Sequence, residues 1–345
     1  MQSTPQFFTI TNARFFCGTV ALLNSLRITG HEGELVVLDT GLDEAQRQRL
    51  APHTTLVRPG ADRAGNPTMF KAFPSMLKPR GTIVIIDSDM LVTGSLARMF
   101  EAAEEGRICL YGDPTQRVRW FAEWEGLFSL SIAPRRQPYL NAGFVVFSTL
   151  RWPNLLERWW EVCWRIPDDS TRTYGAAYED PLCLGDQDAL NALLMSEIPG
   201  GAVLEAPQLE APIFEQLTHV QVVDEERLAC THRGVSTVLL HEAGTPKVWE
   251  REACMRVRGA YVRLAPRALL ADDLPLRLEP SELPPWMRGG RGGRALARGF
   301  SLTTTVVLPI IRMLPSGLRP SSEGVARLLA GARKRSRRLI ESRSG

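Results

Sequence analysis

A strand that ends in two aspartates constrains the fold of this 345-residue chain more than any other feature. Thr82-Ile-Val-Ile-Ile86 is an unbroken run of mostly β-branched residues, which is typical of a strand buried on both faces of a parallel sheet. Asp87-Ser-Asp89 follows at once. Ligands of open α/β sheets bind beyond the carboxyl ends of the strands, so we expect both carboxylates to face a substrate crevice.

Strands and helices alternate through the N-terminal part of the chain. Hydrophobic periodicity predicts strands at Phe7–Ile10 and Glu34–Asp39, and helices at Gly18–Thr29, Glu44–Leu50 and Thr68–Leu77. This order of elements indicates an α/β fold with a mostly parallel central sheet flanked by helices.

Four later segments carry equally regular patterns. Two predicted strands are Tyr139–Phe147, which contains Asn141-Ala-Gly143, and Val235–Leu240, which ends at His241. Two predicted helices are Trp152–Arg165 and a second one that starts at Gln187 and is capped by Asp186. Polar residues therefore stand at the ends of several predicted elements.

The C-terminal part has a different composition. Prolines, glycines and arginines dominate beyond residue 275, so we predict one folded domain over 1–275 and an extension over 276–345. From Trp286 onward 13 basic residues face two acidic ones, a net charge of +11, which leaves −8 on residues 1–285. Such an extension either binds an anionic membrane surface or is partly disordered.

Cysteine usage and the apolar runs bear on the compartment. The six cysteines are far apart and form no CxxC pair, which indicates reduced thiols in a cytoplasmic protein. The N-terminus lacks the basic start and long apolar run of a signal peptide. Val306–Ile311 is far shorter than the roughly 18–20 residues that span a bilayer. We expect a cytoplasmic protein, with peripheral association at the inner membrane face as the alternative.

Asp87, Asp89 and His241 have the chemistry of a metal site. Hard divalent cations take carboxylate oxygens, and manganese accepts an imidazole more readily than magnesium or calcium does. Taken alone, a D-x-D is also common as a strand-end cap, and a histidine in a strand is more often structural. Downstream, Gly244 permits close approach of the backbone, and Lys247 offers a point charge for a phosphate.

Four islands of sequence carry a specific resemblance. They are Asp87-Ser-Asp89, Asn141-Ala-Gly143, Asp186-Gln-Asp-Ala-Leu-Asn191 and His241-Glu-Ala-Gly-Thr-Pro-Lys-Val-Trp249. In order and rough spacing they resemble glycosyltransferase family 8, the group of glycogenin and the bacterial galactosyltransferases. The resemblance covers about residues 7–255. It implies the Rossmann-like GT-A fold, a UDP-sugar donor, manganese or another divalent cation such as magnesium, and retention of anomeric configuration.

The resemblance also implies a role for each matching residue. Asp87 and Asp89 would contact ribose and metal, and His241 would be the third protein ligand. Gln187, nearest the reacting carbon, and Asp186, on the sugar or acceptor side, would be the catalytic residues. Further donor or nucleotide contacts would come from Thr11, Asn12, Ala13, Phe16, Lys71, Ser88, Asn141, Ala142, Gly143, Asp188, Gly244 and Lys247.

Some of these residues have structural alternatives. Lys71 could equally be a solvated helix lysine. Either Phe15 or Phe16 stands where the family has a stacking tyrosine, and either could belong to the core. Asp188 and Asn191 lie three apart on a predicted helix and could bond each other. The family's Lys-Pro-Trp is also rearranged here to Pro-Lys-Val-Trp, which leaves the direction of the lysine open.

The predicted activity is metal-dependent transfer of a hexose from a UDP-sugar to a glycan, lipid-linked saccharide or protein acceptor. A glutamine is a poor nucleophile, so we favour attack from the same face over a covalent intermediate on Gln187. One alternative is an inactive nucleotide-sugar-binding scaffold. A sugar nucleotidyltransferase is disfavoured because Thr11–Phe16 lacks a glycine-rich phosphate loop. No nucleic-acid partner is expected, since residues 1–285 are acidic and no recognition motif accompanies the arginines.

Overall fold

The computed structural model describes residues 4–59, 67–167, 178–250 and 259–302. Its strands are β1 (Gln6–Thr11), β2 (Leu35–Asp39), β3 (Thr55–Val57), β4 (Thr82–Ile86), β5 (Met90–Val92), β6 (Ile108–Gly112), β7 (Leu140–Ser148), β8 (Val203–Ala206), β9 (Val220–Asp224), β10 (Ala229–His232), β11 (Val235–Ser236) and β12 (Leu239–His241). Its α-helices are α1 (Phe16–Ile28), α2 (Glu44–Leu50), α3 (Ala97–Glu104), α4 (Trp124–Leu127), α5 (Leu155–Cys163), α6 (Asp186–Ser196), α7 (Gly259–Leu270) and α8 (Gly290–Leu302).

The predicted mostly parallel sheet is confirmed. Seven strands lie in the order β3-β2-β1-β4-β7-β6-β8, and β7 alone among them runs antiparallel to its neighbours. The carboxyl ends of β1, β4 and β6 therefore share one edge of the sheet with the beginning of β7. Topology thus gathers Asp87 and the segment around Asn141 at the same place, and Asp87 N–H donates to Gly143 O at 2.8 Å.

Helices cover both faces of this sheet, which explains the unbroken apolar run of β4. Val84 and Ile86 belong to the core cluster that contains α1, α3 and α7. Ile83 and Ile85 belong to the cluster on the other face, with α5 and α6. Side chains alternate between faces along a strand, so a strand covered on both sides needs apolar residues at every position.

The late strand that was predicted over Val235–Leu240 is instead two strands. Val235–Ser236 forms the edge of a three-stranded sheet with β10 and β9, whereas Leu239–His241 pairs antiparallel with β5. The pairing sets His241 opposite Met90, one residue after the second aspartate of the D-x-D. This register is what carries the histidine to the end of β4.

Two predicted helix features are wrong. Thr68–Leu77 is not one helix but two short 3₁₀ turns, Pro67–Phe70 and Phe73–Met76, and Pro74 has no N–H to extend an α-helix. Helix α6 starts at Asp186 itself, and its N-cap is Gly185, with φ of +52°. The Asp186 side chain therefore does not cap the helix and can contact other groups.

Residues beyond 275 contribute to the core. Leu276, Leu283, Trp286 and Met287 lie in the same cluster as α1 and α7, and Trp286 Nε1 donates to Val248 O at 2.8 Å. The predicted domain boundary at 275/276 stays a prediction. The predicted basic helix over 324–340 and the apolar run over 306–311 lie outside the described residues. Within the described ranges, no helix has the length and apolarity to cross a bilayer.

Candidate active site

A cleft of about 800 Å³ opens at the edge where β1, β4 and β6 end. Most of the predicted site residues line it. They are Thr11, Asn12, Lys71, Asp87, Ser88, Asp89, Asn141, Gly143, Asp186, Gln187, His241, Gly244 and Lys247. Residues that are remote in sequence thus face one space.

Four predicted site residues lie elsewhere. Phe16 is buried in the core at the start of α1, and of the two phenylalanines Phe15 is the one that lines the cleft. Asp188 is fully buried in an ion pair below the cleft. Ala142 is buried and contributes its N–H, and Ala13 is exposed beside the cleft.

Asp87, Asp89 and His241 form a compact cluster. His241 Nε2 is 3.7 Å from Asp87 Oδ2 and 3.2 Å from Asp89 Oδ1. One ligand atom from each residue lies within 4.8 Å of the others. Ligands of one small cation, each at about 2.1 Å, are separated by roughly 3 to 4 Å, so the three side chains can hold a single divalent cation.

Asp89 has the character of a cation ligand. Its Oδ1 is buried and accepts no well-aligned hydrogen bond from any residue that the structure describes. Burial raises the pKa of this carboxyl, but Lys247 and His241 outweigh burial and hold the pKa well below its usual range. The group is therefore a buried carboxylate whose Oδ1 faces His241 Nε2 at 3.2 Å without a well-aligned hydrogen bond, and a cation between them would satisfy it.

Lys71 is not a solvated lysine. It is buried, and its Nζ lies 2.9 Å from Asp87 Oδ1 and 3.1 Å from Asp186 Oδ2. Burial raises the pKa of Asp186 to about 6, Lys71 opposes that rise and Asp87 adds to it. Lys71 thus couples a candidate metal ligand, Asp87, to the start of α6.

Lys247 points into the cleft despite the rearranged motif. Its Nζ contacts Asp89 Oδ2, donates to Glu242 O at 2.8 Å, and lies 5.3 Å from the centre of the Phe15 ring. Gly244, at φ of +84°, allows the turn that precedes it. The loop therefore presents a cation beside the candidate metal ligands.

Gln187 is oriented by two hydrogen bonds. Its Oε1 accepts the Ala142 N–H at 3.0 Å, and its Nε2 donates to Asp113 Oδ2 at 2.9 Å. Sequence reasoning missed Asp113, which also lines the cleft. The available signal was the same as for Asp87, since Asp113 directly follows β6, another fully buried strand.

Two glycines permit the close packing of the D-x-D segment. A Cβ at Gly143 would lie 2.7 Å from Asp87 Oδ2 and 2.8 Å from Asn141 Oδ1, and a Cβ at Gly18 would lie 2.4 Å from Ser88 O. Real Cβ atoms do not approach other atoms so closely. Glycine at both positions therefore fixes where the aspartates sit.

The charged side chains of the cleft do not balance. Five acidic residues face three basic ones, apart from His241. The acidic residues are Asp87, Asp89, Asp113, Asp186 and Glu215, and the basic ones are Arg14, Lys71 and Lys247. A diphosphate alone would meet net negative charge, whereas a divalent cation would neutralise the excess of two.

Comparison with known proteins finds no matching family model and no matching curated protein. Among solved structures, the chain is similar to the apo form of the bifunctional glycosyltransferase WbbM, with 15% identity and a TM-score of 0.47 over 73% of this chain and 48% of that one. It is similar to the galactosyltransferase LgtC in complex with donor and acceptor sugar analogs, with 15% identity and a TM-score of 0.49 over 78% of this chain and 98% of that one. It is also similar to the apo form of the glycosyltransferase GlyE of Streptococcus pneumoniae TIGR4, with 12% identity and a TM-score of 0.46 over 72% of this chain and 57% of that one. The chain thus spans about half of WbbM and nearly all of LgtC.

Proposed function

We propose that the chain is a metal-dependent glycosyltransferase of the GT-A type. It would transfer a hexose from a UDP-sugar to a saccharide, lipid-linked or protein acceptor, with retention. The observation that carries this proposal is the Asp87, Asp89 and His241 cluster at the end of β4, which faces a cleft shared with Lys247 and Gln187. The excess negative charge of the cleft supports metal dependence.

Three side chains would hold the cation. Asp87 and Asp89 supply oxygen ligands and His241 supplies Nε2, a set for which we propose manganese. When bound, the cation neutralises the charge that grows on the leaving diphosphate. Lys247, 5.3 Å from the Phe15 ring centre, would contact the same diphosphate once a cation competes for Asp89.

Gln187 would act on the sugar side. Both ends of its amide are held, by Ala142 N–H and by Asp113, so its dipole keeps one orientation in the cleft. We propose same-face transfer, in which the acceptor oxygen bonds to the anomeric carbon as the bond to the diphosphate breaks. The acceptor's proton passes to the leaving diphosphate. Asn141 and Asp186 would hydrogen-bond the sugar hydroxyls.

Gln187→Ala will lower kcat by about 10²-fold with little change in the donor KM, because the amide dipole acts where charge develops. Initial rates over a range of donor concentrations measure both constants. Gln137→Ala is the matched control, since this part-buried amide accepts a hydrogen bond from Arg135 Nη2 at 3.1 Å away from the cleft and its loss will leave kcat unchanged. A covalent sugar trapped on Asp186 would contradict the same-face mechanism.

UDP release from a panel of UDP-sugars, with manganese and with chelator, tests the proposed function. Manganese-dependent release from one donor supports transfer and names the sugar. Tight, metal-dependent UDP binding without turnover supports the class and indicates an obligatory acceptor. A wild-type protein that binds neither UDP nor any UDP-sugar contradicts the proposal and favours the scaffold alternative.

We also propose that the basic extension binds an anionic membrane surface. On α8 the arginines Arg291, Arg294 and Arg298 are exposed, and Leu296 is exposed beside them. Each basic residue near an anionic leaflet contributes about 1 kcal/mol to binding.

Vesicle flotation will test this association. Because residues up to Met287 belong to the core, the shortened protein ends at Leu302, beyond the core. It keeps the four arginines of 288–302 and loses the nine basic residues of 303–345. We expect the full chain to float with phosphatidylserine vesicles and the shortened chain to float at least about tenfold less. Equal flotation of the two proteins would contradict the proposal.

A further inference from the structure

Arg14 lines the same cleft as the candidate metal ligands, and its backbone is fixed from both sides. The Arg14 N–H donates to Asn12 Oδ1 at 3.0 Å, and its carbonyl accepts Trp249 Nε1 at 2.9 Å. The side chain is 47% exposed. A well-anchored residue therefore presents a partly solvated guanidinium to the cleft.

Glu250 holds that guanidinium. Its two carboxylate oxygens accept Arg14 Nε and Nη2, the second at 3.0 Å. Oε2 of Glu250 also accepts the Lys247 N–H at 2.6 Å. The hydrogen bond from Arg14 holds the pKa of Glu250 below its usual range, so the carboxyl is ionised. One carboxylate thus joins the turn after β1 to the Lys247 loop.

The charged groups of Arg14 and Lys247 both lie close to the ring of Phe15. The Arg14 Cζ is 5.8 Å from the centre of the Phe15 ring, and Lys247 Nζ is 5.3 Å from the same centre. Two cations at one end of a cleft match a ligand with two linked anionic groups. A guanidinium also forms bidentate hydrogen bonds with phosphate, which an ammonium cannot.

The contact with Glu250 is of a kind that a ligand can replace. Ion pairs between partly exposed side chains contribute little to stability, because solvent screens them and ordering them costs entropy. Hydrogen bonds from a guanidinium to phosphate oxygens are charge-assisted, as are those to the Glu250 carboxylate, and both can be bidentate. A phosphate group can therefore take the place of Glu250 without loss of hydrogen bonds, and it brings more negative charge to the guanidinium.

We propose that Arg14 binds the phosphate groups of the nucleotide, and that Glu250 holds the guanidinium in place until the nucleotide arrives. This inference rests on the proposed function and adds to it a residue that specifies a phosphorylated ligand. Because Glu250 also bonds the Lys247 backbone, release of Arg14 is coupled to the loop that carries the second cation.

Isothermal titration with UDP and with uridine, both with manganese, tests the proposal. Arg14→Ala will weaken UDP binding by about tenfold and leave uridine binding unchanged. The UDP affinity of Arg14→Lys will lie between those of the alanine variant and wild type, because an ammonium keeps the charge but not the bidentate geometry. Glu250→Gln will bind UDP at least as tightly as wild type, since the competing carboxylate is gone. Arg263→Ala is the matched control, because Arg263 forms a similar partly exposed pair with Glu225 at 2.6 Å.

Each result has one meaning. Equal UDP binding by Arg14→Ala and wild type overturns the role of Arg14 alone and leaves the proposed function standing. Equal weakening of UDP and uridine also overturns it, because the effect then lies in the turn and not in a phosphate contact. Where circular dichroism shows Arg14→Ala to be unfolded, Glu250→Gln decides, and weaker UDP binding by that variant contradicts the proposal. Wild-type protein that binds no UDP contradicts the proposed function itself.

Discussion

Asp89→Asn will abolish metal-dependent transfer, lowering kcat/KM by about 10³-fold. Two losses combine in this variant. The oxygen that faces His241 at 3.2 Å becomes a neutral amide atom, and Lys247 loses its buried counter-charge. Asparagine keeps the shape of the side chain, so the effect will come from charge. The cation then lacks one charged ligand, and the diphosphate meets a Lys247 that is no longer held by Asp89.

Manganese affinity, followed by electron paramagnetic resonance of the free ion, separates ligand loss from misfolding. Asp39→Asn is the matched control, because Asp39 is also buried and also ends a parallel strand of the same sheet. Its carboxylate bonds Gly41 N, Leu42 N and Arg47, so its loss will lower stability without a change in manganese affinity. Manganese-dependent transfer by Asp89→Asn at the wild-type rate would refute the metal site.

The most predictable part of the molecule is the part with a periodic signal. The apolar run of β4 indicates a strand that is covered on both faces, and the two core clusters on its alternate residues confirm that reading. Asp87 and Asp89 follow from it, because polar residues after a buried strand must lie at the sheet edge. Asp113, after β6, obeys the same rule and was overlooked.

The sequence could not predict which side chains that are far apart along the chain contact each other in the fold. The resemblance implied a donor contact for Asp188, with a bond to Asn191 as the alternative, but the Asn191 amide bonds the Leu140 backbone through both its oxygen and its nitrogen. Asp188 instead pairs with Arg119, 69 residues earlier. A contact of this kind depends on how the chain folds back and leaves no local period. Phe15 and Phe16 could not be told apart for a different reason, because which of them faces the core depends on the residue at which α1 begins.

The pair between Arg119 and Asp188 is the second place where a single substitution will have a large effect. Both side chains are almost fully buried, and the guanidinium donates to the two carboxylate oxygens at 2.6 and 2.7 Å. Tyr139 Oη donates to the same carboxylate at 2.7 Å. Arg119 also donates to the carbonyl oxygens of Tyr178 and Asp180. One side chain thus secures the segment that leads into α6.

Arg119→Met will leave a buried carboxylate without its cation, which costs about 3–5 kcal/mol of unfolding free energy. For a chain of this size that corresponds to a fall in Tm of about 4–7 °C, measurable by circular dichroism. The double variant Arg119→Met with Asp188→Asn will recover part of the loss, because a neutral amide needs no counter-charge. Its oxygen can still accept from Leu184 N–H, and its NH2 can donate to Tyr139 Oη. The exposed pair of Arg165 and Glu161 is the control, and Arg165→Met will change Tm by about 2 °C or less.

The stability of Arg119→Met will change with pH in a definite direction. Burial raises the pKa of Asp188, and the hydrogen bonds from Arg119 and Tyr139 oppose that rise. Without Arg119 the folded-state pKa moves further above the unfolded value, so the variant is destabilised most at pH 8 and regains stability as the pH falls towards 5. Wild type, whose carboxylate keeps its cation, will show a smaller change over the same range. A deficit that is constant from pH 8 to pH 5 would mean that lost packing, and not an uncompensated charge, causes the instability.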